Sequence, residues 1–262
     1  MIPHNFITEW ETITAPWRTL VMIEQDLAIS RALVDLYNNP IIRDSLVFRG
    51  GTALNKIYIN PPARYSEDID FVQIKSGPIG PIIDSIRSSL SNWLGEPDRK
   101  ITNRSAKLIY KYIDISGNKS KLKIEINTTE HINFLDLKSV PYSVNSSWYV
   151  GNTDILTYQL EELLATKLRA LYQRRKGRDL FDLWLALDRN LIDVKAMLEI
   201  FLKYCQHNEE PISKVNFIKN LEDKKNHTDF KIDMHNLLKP NIKWDFDKAL
   251  DMVTLRIVNH LP

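Results

Sequence analysis

Two acids one residue apart, Asp68 and Asp70 in the stretch DIDFVQI, are the side chains of this chain best suited to holding a divalent cation. Successive side chains of a strand alternate faces, so both carboxylates share one face while Ile69 and Phe71 take the other. Paired carboxylates suit Mg²⁺, and phosphoryl transfer needs such a cation to neutralise phosphate charge and activate the attacking oxygen. A third acid on a neighbouring strand would complete a two-ion site. Glu125 in KLKIEIN, on the polar face of an alternating run, is the candidate. The D-x-D pattern also has a plainer reading: Asp245-Phe246-Asp247 opens a helical stretch, where aspartate is an expected cap.

Upstream of the acids, SLVF (45–48) reads as a short strand ending at Arg49-Gly50-Gly51, after which TALNKIYI can begin a helix. Glycines let backbone approach a ligand closely. The free N–H groups of the helix start suit a triphosphate, and Thr52 adds a hydroxyl. A simple strand-to-helix turn is the alternative. Neither the P-loop pattern G-x-x-x-x-G-K-[ST] nor the dinucleotide fingerprint G-x-G-x-x-G is present. The order of glycine turn, helix and acidic strand is one that brings phosphates and metal together.

The elements that must position these residues can be read from periodicity. Pro16 followed by WRTLVMIEQDLAISRALVDLYNN predicts a long packing helix stopped at Asn38-Asn39-Pro40. Pro61-Pro62 ends the helix after the glycine turn. A helix over 82–93 and a hairpin of SAKLIYKYIDI and KLKIEIN around Ser116-Gly117-Asn118-Lys119 follow. From about Asp154 the pattern becomes helical: DILTYQLEELLATKLRALYQRR, RDLFDLWLALDRN, IDVKAMLEIFLKYC and further stretches near 211–223, 229–238 and 245–260. The irregular VPYSVNSSWYVGN therefore divides the chain into an α/β domain, 1–150, and a helical domain, 151–262.

A net charge of +2 over 262 residues leaves the placement of charge as the informative feature. Positive charge gathers between Arg99 and Lys123 and again between Lys167 and Arg178. Such runs serve as solvated faces or as contacts to nucleic-acid phosphates. Tyr110, Tyr112 and Tyr172 interleave with them and either fill the core or stack on bases. Arg64, just before the acids, either reaches a phosphate or lies exposed. The six histidines show no zinc-binding spacing, and Cys205 alone permits no intrachain disulfide, which fits a reducing cytoplasm. No apolar run approaches the roughly 20 residues that span a bilayer, so no membrane association is expected.

FRGGTALNKIY, RYSEDIDF and EELLATKLRALYQRRKGRDLFDLW, with KIEIN between them, resemble the AbiEii/AbiGii family of nucleotidyltransferase toxins, which includes the MenT-type toxins. The resemblance implies a DNA polymerase β-like nucleotidyltransferase fold, a mixed sheet flanked by helices, with the helical domain closing the nucleotide cleft. It implies transfer of a nucleoside monophosphate from an NTP, with Mg²⁺ as cofactor and pyrophosphate released, to the 3′ end of tRNA, and a cognate antitoxin as partner. Gly50, Gly51 and Thr52 would then cradle the triphosphate, Ser66, Asp68 and Asp70 would form the catalytic motif, and Lys167 and Asp179 would be its second-domain lysine and aspartate. Glu125 carries the metal role on a short strand pattern alone.

For the helical-domain residues the chemistry leaves alternatives. Lys167, Arg169 and Arg178 can stabilise triphosphate charge, or Lys167 and Arg169 can pair along their helix with Glu161 or Glu162. Asp179 can accept a proton, orient Lys167 or Arg178, or cap the helix after Gly177. Asp182, one turn on, is its partner or plain surface. Three other functions share these features: nucleotidylation of a protein or small molecule, a phosphotransferase using the γ-phosphate, and a non-enzymatic binder of RNA or a partner protein.

Overall fold

The computed structural model describes residues 2–14 and 17–262, in two compact units. The first comprises Met1–Asn133 and Leu137–Tyr158, and the second Phe134–Asp136 and Gln159–Pro262.

The first unit begins with helix α1 (His4–Ile13) and a long helix α2 (Leu20–Tyr37), capped by the Thr19 hydroxyl, which accepts from the Met22 N–H at 3.2 Å. Pro16, expected in the first turn of that helix, lies outside the described residues. Asn38 ends α2, but Asn39 and Pro40 start a new helix rather than a loop: the Asn39 side chain accepts from Ile41 N–H, and α3 (Pro40–Ser45) leads into strand β1 (Leu46–Arg49). The glycine turn follows as α4 (Gly50–Ala53), continuing as a π-helical turn over Leu54–Tyr58. Next come β2 (Asp68–Gln73), α5 (Gly80–Leu94), β3 (Asp98–Ile101), β4 (Ser105–Ile113), β5 (Lys119–Asn127), β6 (Lys138–Asn145) and β7 (Val150–Thr157).

The strands form one mixed sheet in the order β3-β4-β5-β2-β1-β7-β6. β2 runs antiparallel to β1 and parallel to β5, and β1 pairs parallel with β7. The α2 helix is buried on nearly every side, and its internal charges are spent on the fold: Glu24 accepts from the N–H groups of Ile2 and Ile115, and Asp26 from Trp10 Nε1 and Lys56. Burial of charge is tolerated because each group is hydrogen-bonded or paired.

The stretch read as an irregular linker is instead the β6–β7 hairpin, and Asp154–Thr157 is strand rather than the start of a helix. The boundary between units accordingly falls after Tyr158. Pro141 and the exposed, polar alternation of β6 suit an edge strand, whose weak pattern resembles a loop.

The second unit is helical: α6 (Leu160–Gln173), α7 (Gly177–Asp188), α8 (Val194–His207), α9 (Lys214–Lys225), α10 (Thr228–Ile232) and α11 (Phe246–Arg256). Asp245 caps α11 by accepting from Lys248 N–H, as expected of that D-x-D. No described helix is long and apolar enough to cross a membrane.

Candidate active site

The geometry of the acids follows from strand register. In β2, Ile69 and Phe71 are buried while Asp68 and Asp70 are partly exposed, the alternation expected of a half-buried strand. Arg49, the residue before the glycine turn, pairs in register with Asp70 on one side, and Glu125 of β5 pairs with Asp70 on the other. The glycine turn, the acidic pair and Glu125 thus lie on three adjacent strands.

Gly50 has φ +82°, a conformation that L side chains rarely adopt, and a Cβ there would sit 2.5 Å from Asp70 Oδ2. The turn therefore approaches the carboxylate as closely as backbone can. A Cβ on Gly51 would collide with Arg64 Nη2 and lie 3.2 Å from Ser66 Oγ. The two glycines serve two neighbours: one clears Asp70, the other admits Arg64 and Ser66.

Thr52 is buried, and its hydroxyl is committed within the protein. Its Oγ1 lies 2.8 Å from Ser66 Oγ and makes a short hydrogen bond to the Asp68 carbonyl. The threonine expected to offer a hydroxyl to a triphosphate instead ties the glycine turn to the start of the acidic strand. Arg64, whose exposure the sequence left open, is 1% exposed, and its Nη1 donates to the Tyr65 carbonyl. A cavity of about 420 Å³ lies beside the turn, with Thr52, Asn55, Lys56, Arg64, Ser66 and Tyr142 in its wall. That size suits a small-molecule ligand.

Two lysines of the Arg99–Lys123 basic run, read from sequence only as part of a charged face, control the charge at the acids. Lys123, in register with Asp68, places Nζ 2.9 Å from Asp68 Oδ2 and 3.5 Å from Glu125 Oε2, and Lys107 Nζ lies 2.8 Å from Glu125 Oε1. Burial would raise the Glu125 carboxyl, but the two ammonium groups outweigh it and hold it below the usual range. The signal was available: Lys123 is two residues before Glu125, on the same face of an alternating strand.

The aspartates fit a hard divalent cation by ligand type and shared face. Glu125 does not extend them into a preformed three-acid set: its oxygens are held by Lys107 and Lys123, and among the described residues no three His, Cys, Asp or Glu side chains are gathered to hold a metal.

In the second unit the structure brings Lys167, Asp179 and Asp182 together with Arg174. Lys167 Nζ lies 3.2 Å from Asp179 Oδ1 and 3.0 Å from Asp182 Oδ2, and all three side chains are buried. Arg174 donates to Asp179 through Nε at 2.7 Å and Nη2 at 2.9 Å. Burial alone would raise the Asp179 carboxyl, but Lys167 and Arg174 hold it down at about 2. A carboxylate so acidic is a poor proton acceptor and a good anchor. Nor does Asp179 cap its helix, since Lys176 is the N-cap residue and the Asp179 side chain turns to Lys167 and Arg174. Asp182 is its buried partner in holding Lys167, not surface.

Two further expectations change. Glu162, offered as an ion-pair partner along α6, instead accepts from the N–H groups of Phe134 and Leu135 and from Tyr204 Oη. Arg169 lies buried with its guanidinium 5.3 Å from the Tyr204 ring centroid, and Arg178 faces Asp233 at 3.6 Å. Arg174, the missed member of this cluster, stands among several basic residues that the sequence does not distinguish.

Solved structures share this fold. MenT4, a nucleotidyltransferase toxin of Mycobacterium tuberculosis, superposes with a TM-score of 0.62 at 14% identity, covering 100% of this chain and 91% of its own. A putative nucleotidyltransferase of Helicobacter pylori gives 0.54 at 19%, covering 90% and 92%, and JHP933 of Helicobacter pylori gives 0.52 at 18%, covering 90% and 89%. No match was found among curated proteins. At these identities the structural likeness establishes the fold. The sequence itself matches the model of the nucleotidyl transferase AbiEii toxins of type IV toxin–antitoxin systems over residues 31–252, and the chain belongs to that family.

Proposed function

We propose that this nucleotidyltransferase moves a nucleoside monophosphate from an NTP to the 3′ end of tRNA, with Mg²⁺ as cofactor, releasing pyrophosphate and so blocking translation. The observation that carries the reading is the approach of the Gly50 backbone to Asp70, which sets a turn able to accept phosphate against a pair of carboxylates. A divalent cation held by Asp68 and Asp70 would neutralise phosphate charge and lower the pKa of the acceptor hydroxyl.

The chain's own residues supply position and charge. Backbone N–H groups at Gly50 and Gly51 receive the triphosphate, and Thr52 and Ser66 lock the turn to β2 so that its distance from Asp68 is fixed. The cavity beside Arg64 is the proposed seat of the rest of the nucleotide. Glu125, held by Lys107 and Lys123, would add a third carboxylate to the metal ligands if those lysines gave it up. Lys167 and Asp179 remain in the proposed set as an anchored pair: Asp179 stays a carboxylate and orients Lys167 and Arg174, and those cations, with Arg169 and Arg178, stabilise anionic charge. The antitoxin implied by the family is the proposed source of restraint in the cell, and the single buried thiol, Cys205, supports a cytoplasmic setting.

The test is incubation of the purified protein with total tRNA, Mg²⁺ and each α-³²P-labelled NTP in turn. Label on RNA with pyrophosphate release is the expected result. Label on the protein or a small molecule, or release of an NDP, would overturn the tRNA assignment.

A further inference from the structure

The acid face of the sheet does not end at Asp68. Along β5 the same face carries Lys119, Lys121 and Lys123, alternating with Leu122 and Ile124 in the core, and on β4 it carries Lys107 and Lys111. A groove of about 760 Å³ is lined by Lys111, Lys119, Lys121 and Lys123 and reaches Glu67 and Asp68. Lys111 and Lys121 are partners in register, an arrangement of like charges that destabilises a bare sheet. Lys111 is paired with Asp98 on β3 at 2.5 Å, whereas Lys119 and Lys121 form no ion pair among the described residues. Alternate residues of a strand stand about 6.8 Å apart. That is close to the spacing of successive phosphates in an extended single strand, and the row points from the hairpin tip to Asp68.

We infer that the β4–β5 hairpin is the track for the single-stranded 3′ end of the RNA acceptor. Lys119 and Lys121 bind successive phosphates, and the strand's terminal hydroxyl is delivered past Lys123 to Asp68. Ile113, 54% exposed beside the outer lysines, offers an apolar surface to a base. An acidic protein is disfavoured as occupant because the cations stand in one evenly spaced row that ends on the catalytic carboxylate. The inference rests on the RNA-acceptor reading above, and its test separates the two.

Binding of a 5′-labelled single-stranded RNA of about ten nucleotides is measured against salt for the full chain and for Lys119→Glu/Lys121→Glu. Lys195→Glu/Lys203→Glu on α8 is a control of equal charge change, and Lys119→Arg/Lys121→Arg is the conservative variant. The hairpin pair is expected to weaken binding at least about tenfold and to lower the log–log salt slope by about 1.4, two single-strand phosphate contacts. The control and the arginine variant should match wild type, and NTP binding by calorimetry should be unchanged in all. Wild-type RNA binding and labelling that persist with full affinity and slope in the glutamate variant would overturn the track alone. Failure of the wild type to bind or label RNA would overturn the acceptor reading and the track with it.

Discussion

The two charged clusters of this protein are built on opposite principles. On the sheet, Asp68 and Glu125 share Lys123, and the side chains involved are 25–30% exposed. In the helical unit, Lys167 is closed between Asp179 and Asp182, with side-chain exposures of 6%, 0% and 0%. Water screens the first set, so its ion pairs are weak and exchangeable. The second is shielded, so removing one member strands its partners. The lesson is that charge within one molecule has two uses: a loose, solvent-screened set whose pairs can exchange, and a tight set that fixes geometry.

The largest expected effect breaks this contrast directly. Lys167→Met would remove the ammonium shared by the buried Asp179 and Asp182 carboxylates and should destabilise the helical unit by about 3–5 kcal/mol. Asp70→Asn should leave stability within about 0.5 kcal/mol yet lower nucleotidyl transfer by about 10³-fold, as measured by denaturation and label incorporation on the same preparations. Equal stability losses in the two variants would abolish the distinction.

Next comes the glycine turn. Gly50→Ala forces a side chain into a left-handed conformation and against Asp70 Oδ2, so transfer should fall about 100-fold, with a stability loss of about 1–2 kcal/mol. A pH experiment sharpens the buried side. The Asp179 carboxyl is held at about 2 in the fold against an ordinary value of 3.8, so its contribution is present above pH 4 and is lost as pH falls through 2. The shift corresponds to about 2 kcal/mol. Urea unfolding from pH 5 to 2 should show this slope in wild type and lose it in Asp179→Asn. The smallest effect belongs to the exposed set: Lys107→Met should change stability by less than about 1 kcal/mol, because Lys123 remains beside Glu125.

Much of the loose set was legible from sequence, because strand alternation by itself puts Asp68 and Asp70 on one face and Glu125 on a polar one. The commitment of Thr52 to Ser66 and Asp68 was not, since it depends on two segments meeting across 14 and 16 residues. The buried triad was half legible: Asp179 and Asp182 lie one turn apart on α7, but Lys167 reaches them from α6, and a capping role and a pairing role give Asp179 the same sequence signature. The β6–β7 hairpin escaped because an exposed edge strand containing proline lacks the apolar alternation by which strands are read.

The central claim is tested most directly by comparing wild type with Asp68→Ala for incorporation of α-³²P nucleotide into tRNA, with the thermal unfolding of both recorded. Label on RNA in wild type, its loss in the variant and coincident unfolding curves are the expected result. Undiminished labelling by a folded Asp68→Ala protein would contradict the assignment of the active site to the acidic strand.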